Sequence, residues 1–213
     1  MHVMAAAGSS SALTAMGRPG EGLAFIDRAL AMEPGNRMNE WTRAWALVRL
    51  GRLEEARSLL EAWPPAATGL QAEWFRQVDF TRVAAEGDPE ATRALGRALT
   101  HRYLEPGLTS QLVANAVLTM APSLAHCGME DEALALMERA VACRVAPTLD
   151  QLLLDPDLRR LRGNPRFQKI LKASREDAAV VVRKCDEFRS RGELAGYLDQ
   201  PLADLRALVA QAI

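Results

Sequence analysis

Apolar and small residues recur every three to four positions along most of this chain, the spacing that gathers them on one face of an α-helix. With caps, glycines and prolines as boundaries, the pattern predicts four helix pairs. They fall at about 3–16/19–32, 37–50/52–62, 70–86/89–104 and 109–127/130–143. Gly8 and the serines Ser9 to Ser11 lower helix propensity in the first of these. Pro122 is expected to kink or divide the first helix of the fourth pair, since an interior proline costs ~3 kcal/mol. Further on, Asn164 precedes Pro165 as a cap and first helical residue. Ser174 and Asp177 read as a capping-box-like start for a helix reaching about residue 190. Pro201 then opens a final amphipathic helix with Leu202, Leu205, Leu208 and Val209 as its apolar stripe.

The pairs repeat. Gly17, Gly22, Ile26 and Ala29 recur as Gly51, Ala56, Leu60 and Trp63, about 34 residues later. A third copy runs from Gly128 through Ala133, Met137 and Ala140, and a worn copy starts at Gly87. Glycine after the first helix supplies the left-handed cap. The small residue five positions on lets two helices approach, and the apolar residues four and seven positions further fill the seam. Pro34, Pro64, Pro106 and Pro147 follow the second helices and stop them.

These copies, spread over about residues 3–146, resemble the tetratricopeptide repeat. The tail, with Asp155-Pro156-Asp157-Leu158 and later Leu161-Arg162-Gly163-Asn164-Pro165-Arg166-Phe167, is similar to the segment that closes such regions in bacterial winged-helix transcription regulators and related signalling proteins. In those proteins the region follows a DNA-binding or cyclase-like domain. The expectation here is an isolated module, a fragment, or a relative without that effector domain. The resemblance implies an all-α, right-handed α-solenoid of about four helix pairs at 3–146, with 147–213 as a helical capping segment, because a bare terminal repeat would expose its seam.

Composition changes this picture little but excludes several chemistries. The 213 residues are 49% hydrophobic and 25% charged, which suits a folded chain. A net charge of −1 gives no global basic field for nucleic acid or an anionic membrane surface. No run approaches the ~18 apolar residues of a membrane span. Three widely spaced cysteines, Cys127, Cys143 and Cys185, argue for reduced thiols and a cytoplasmic chain. His2, His101 and His126 show no ligand spacing, so neither metal nor cofactor is expected. Glu54/Glu55 and Glu130 to Glu132 fall in first turns of helices, where they favour the helix dipole without any catalytic role. Cys185 has the cations Arg183 and Lys184 beside it, but a small core hydrophobe is the plainer reading. The basic run of Arg159, Arg160, Arg162, Arg166, Lys169, Lys172 and Arg175 has only Phe167 as an aromatic, and reads as a solvated face with internal ion pairs.

The resemblance makes the first helix of each pair the lining of a concave groove. That places Met38, Trp41, Trp45, Val48 and Arg49 of the second pair on the candidate partner-binding wall. Trp74, Gln77 and Thr81 extend it in the third pair, Asn115 and Leu118 in the fourth. Large rigid aromatics suit a bound peptide or partner helix; the alternative is that Trp41 and Trp45 pack against the first helix or a folded-back tail. The lysine and asparagine positions of a carboxylate clamp carry Ala7, Ser11, Trp41 and Trp45 instead. The reading is a non-catalytic scaffold for a protein or peptide, free of nucleic acid and membrane, with homo-oligomers compatible. The second reading is a sensory or regulatory module of a transcription-control system that binds a small effector or joins subunits.

Overall fold

The structure, a computed structural model, describes residues 3–61, 63, 71–108 and 110–211; the side chains of residues 3–5, 71–75, 110–112 and 115 lie outside that description. Among the described residues there is helix and no strand. The first eight helices are α1 Val3–Ala15, α2 Pro19–Met32, α3 Arg37–Arg49, α4 Leu53–Glu61, α5 Gln71–Glu86, α6 Pro89–Leu104, α7 Ser110–His126 and α8 Glu130–Ala142. Each lies within about two residues of the span read from the sequence. α1 packs on α2, α3 on α4, α5 on α6 and α7 on α8, while α1, α3, α5 and α7 also contact one another in succession.

The glycine logic holds at the positions where it can be measured. Gly17, Gly51, Gly87 and Gly128, which follow α1, α3, α5 and α7, all take φ between +71° and +75°. Gly22 is there for closeness: a Cβ on it would stand 2.7 Å from Thr14 Oγ1 and 2.8 Å from the Ser10 carbonyl. The Ser10 hydroxyl donates to Gly22 O at 2.8 Å, a bond that only such an approach allows. Pro34, Pro106 and Pro147 follow α2, α6 and α8, whereas Pro64 lies outside the described residues.

α7 runs through Pro122 undivided. Proline has no N–H, so the carbonyl four residues back, on Leu118, lacks its helical donor. The Gln151 side chain supplies one, Nε2 to Leu118 O at 2.9 Å, from a buried position. A residue distant in sequence thereby answers the carbonyl left without a donor by the proline that was expected to kink or divide the helix.

Past α8 come α9 Leu149–Leu154, α10 Pro156–Arg159, a 3₁₀ turn Arg160–Gly163, α11 Pro165–Ser190, a 3₁₀ turn Gly196–Leu198 and α12 Asp199–Ala210. Asn164 caps α11 by accepting from Arg166 N at 2.9 Å, with Pro165 as first helical residue. The predicted new start at Ser174 is absent, because α11 is one helix of 26 residues. Phe167, Ile170, Leu171, Ser174 and Ala178 are all buried and form one stripe at helical spacing, so Ser174 sits inside a face that has no reason to break.

Two clusters make up the core. Ile26, Ala44, Leu47, Leu60 and Val78 belong to the first, Phe80, Met120, Leu134, Leu152 and Phe167 to the second. α5 serves both, since Val78 and Phe80 project from opposite sides of it. The segment after α8 is part of the second cluster: α10 packs on α7, α11 on α8, and α9 reaches α1.

Candidate functional site

α3 starts at Asn36, whose side chain accepts from Asn39 N at 3.1 Å. From there Met38, Trp41, Trp45 and Val48 fall at three- and four-residue steps and share a face. What meets that face is the protein itself. Trp41 is 6% exposed and its Nε1–H donates to Thr81 Oγ1 on α5 at 3.2 Å. Trp45 is 3% exposed and its Nε1–H donates to Ser123 Oγ on α7 at 2.8 Å. The contact between α3 and α7 passes beyond the intervening pair, so this face of α3 is covered at Trp45.

The same wiring continues on α5. Gln77 is buried; its Nε2 donates to Tyr103 OH at 3.3 Å and its Oε1 accepts from Thr119 Oγ1 at 2.6 Å. Thr81 and Val48 are buried as well, Met38 is half-buried, and Leu118 is 43% exposed. Trp74 and Asn115 lie on α5 and α7, but their side chains fall outside the described residues. Sequence reasoning placed these residues on one wall, and the structure brings Trp41, Trp45, Gln77 and Thr81 together there. It also covers these four: an open groove was expected, and the polar tips of Trp41, Trp45, Gln77 and Thr81 each find a partner within the chain.

Arg49, at the end of α3, ties the tail to this wall. Its guanidinium holds both oxygens of Asp155 at 3.1–3.2 Å and Asp157 Oδ2 at 3.0 Å. Arg49 and Asp155 side chains are 3% and 0% exposed. Asp155 also caps α10, accepting from Asp157 N at 2.8 Å and Leu158 N at 3.3 Å. Burial pushes the Asp155 carboxyl up, against the pull of Arg49 and the two amides. At Asp157 burial acts in the same sense but is outweighed: His126, whose Nδ1 lies 3.0 Å away, together with Arg49 and Arg160, holds this carboxyl below its usual range. Cys127 beside this cluster is pushed up to about 11, first by burial and then by the Asp157 charge, against the pull of Arg49.

The basic run of the tail is largely engaged within the chain. Arg160 donates to Ala125 O at 2.7 Å and Arg162 to Leu153 O at 2.8 Å, each at a helix C-terminus. Arg166 pairs with Glu138 and Asp131 at 2.8 and 3.0 Å. Arg175 donates to Gln211 O at 2.5 Å. Among the described residues no group of three His, Cys, Asp or Glu side chains is placed to hold a metal ion. No helix among them is long and apolar enough to cross a membrane.

The glycine-capped turns after α1, α3, α5 and α7 stand 34, 36 and 41 residues apart. Residues 13–76 match the family model for the tetratricopeptide repeat. That stretch runs from the end of α1 into α5 and is less than a third of the chain. No curated protein and no solved structure matches the chain. Tetratricopeptide repeats are in general scaffolds for protein–protein interaction. The residues that sequence reasoning missed are Ser123, Gln151, Asp155 and Asp157, the partners of the wall. Pro122 signalled an orphan carbonyl, and Asp155-Pro156 signalled a capped helix start; neither signal names the distant residue that would answer it.

Proposed function

We propose that this chain is a non-catalytic protein-binding scaffold of the tetratricopeptide type. In this reading its helix pairs form a right-handed α-solenoid of about four units at 3–146, capped by 147–213, in the cytoplasm. The observation that carries it is the family match over residues 13–76, extended by α5/α6 and α7/α8, which pair in the same way. The abundant carboxylates support it by their placement: Glu54 and Glu55, and Glu130, Asp131 and Glu132, occupy the first turns of α4 and α8. On the inner wall, Trp41, Trp45, Val48, Arg49, Gln77 and Thr81 hold the shape of the scaffold, while the half-buried Met38 and exposed Leu118 offer contact area to a partner. The second reading, a sensory module for a small effector, draws on the cavity described below.

The test is to identify a partner by cross-linking, reconstitute it with the purified chain, and measure Kd for the wild type, Leu118→Asp and Met38→Asp. At least tenfold weakening with unchanged helix content and Tm supports the scaffold. A turnover reaction abolished by a single polar substitution would contradict it.

A further inference from the structure

One feature of the molecule lies apart from the inner wall. Where the end of the first helix meets the last two, a cavity of about 740 Å³ remains between α1, α9, α11 and α12. Its walls are mostly apolar: Met16, Leu154, Ala178, Val181, Leu205 and Leu208 are among them. Leu154 and Val181 are 40% and 49% exposed, so the surface that lines the mouth is hydrophobic area left in water.

The charged groups that line the cavity carry one sign. Asp150, Asp177 and Asp204 line it, and no lysine, arginine or histidine does. Among the described residues none of these three carboxylates has a cationic partner; Asp204 accepts a hydrogen bond from Gln200 Nε2 at 2.8 Å. Elsewhere the chain neutralises its acids freely, as at Glu21, Glu55 and Glu138. A further polar group stands in the wall. Ser174 is 3% exposed, and its Oγ has no hydrogen-bond partner. With so little surface open to the cavity, Ser174 shapes its wall and leaves recognition to the apolar lining and the carboxylates.

We propose that this cavity binds a small amphiphile with an apolar body and a cationic head, an amine or quaternary ammonium. Volumes of roughly 300–1,000 Å³, predominantly apolar with a few placed polar groups, are those of small-molecule sites. Asp177 and Asp204 are exposed and Asp150 is half-buried, so these three like charges border the apolar lining, raise the local concentration of cations and disfavour anions. This inference does not depend on the scaffold reading, and either can fail alone.

The experiment titrates the full chain with octyltrimethylammonium, octyl sulfate and octyl glucoside, all below their micelle concentrations. Binding is followed by amide chemical-shift changes. The expected result is saturable one-to-one binding of the ammonium, at least tenfold tighter than the sulfate, with shifts centred on Leu154, Ala178 and Leu205. Asp177→Asn combined with Asp204→Asn should reduce the preference for ammonium over sulfate at least fivefold. Ala207→Trp, an exposed position on α12 that lines the mouth, should abolish binding while the helix content stays intact. Equal affinity for all three heads, no saturable binding, or binding that Ala207→Trp leaves unchanged would overturn the proposal. So would saturation of these same residues by a basic amphipathic helical peptide when octyltrimethylammonium does not bind.

Discussion

The inner wall of α3, α5 and α7 and the cavity between α1, α9, α11 and α12 are built from the same materials, apolar side chains with a few polar ones. They differ in whether the polar ones are answered. On the wall, both indole N–H groups, the Gln77 amide and the Arg49 guanidinium all find partners inside the chain. At the cavity, three carboxylates, two of them exposed, border an apolar recess with no cationic partner among the described residues. A satisfied polar group in a dry setting fixes structure, because removing its partner exposes the full desolvation cost. An exposed carboxylate without a partner is solvated, costs little, and stays free to meet a cation. On this contrast the buried residues of the wall serve stability, and the cavity is the place proposed for a small ligand.

Substitutions can break or sharpen that contrast. On the wall, Trp45→Ala removes a large buried side chain and should cost about 3–5 kcal/mol in denaturant unfolding. Arg49→Met leaves Asp155 buried without its cation and should cost a similar ~3–5 kcal/mol. Adding Asp155→Asn and Asp157→Asn to Arg49→Met should recover much of that loss, since the penalty is the unpaired charge. Gln151→Leu reopens the orphan carbonyl of Leu118 and should cost about 1–3 kcal/mol; in a chain that also carries Pro122→Ala the same change should be milder. On the cavity side, Val181→Ser alters an exposed position and should stay within about 0.5 kcal/mol of wild type. If Val181→Ser destabilised the chain as strongly as Gln151→Leu, the two regions would not differ as described.

The helices were readable because their signals are local. Gly17, Gly51, Gly87 and Gly128 mark turns through a backbone conformation that glycine adopts most cheaply, and Asn164-Pro165 marks a start through one side-chain bond. The stripe on α3 was equally readable as a face. What faces it was not, since Ser123 lies 78 residues from Trp45 and Asp155 lies 106 from Arg49. Periodicity tells which side of a helix is apolar and leaves open whether solvent, a partner or the chain's own tail covers it. Ser174 failed for a related reason: a serine followed by an acid three residues on is a cap only where the helix has cause to begin, and here the buried stripe carries on through it.

The most direct measurement is hydrogen exchange at the indole Nε1–H of Trp41 and Trp45 in the native protein. If both groups are tied into the interior, they exchange only when the whole molecule unfolds, with protection that rises and falls with global stability. Exchange of either indole at the rate of a solvent-exposed tryptophan, in a chain that keeps its helix content, would mean an open wall and would contradict the account.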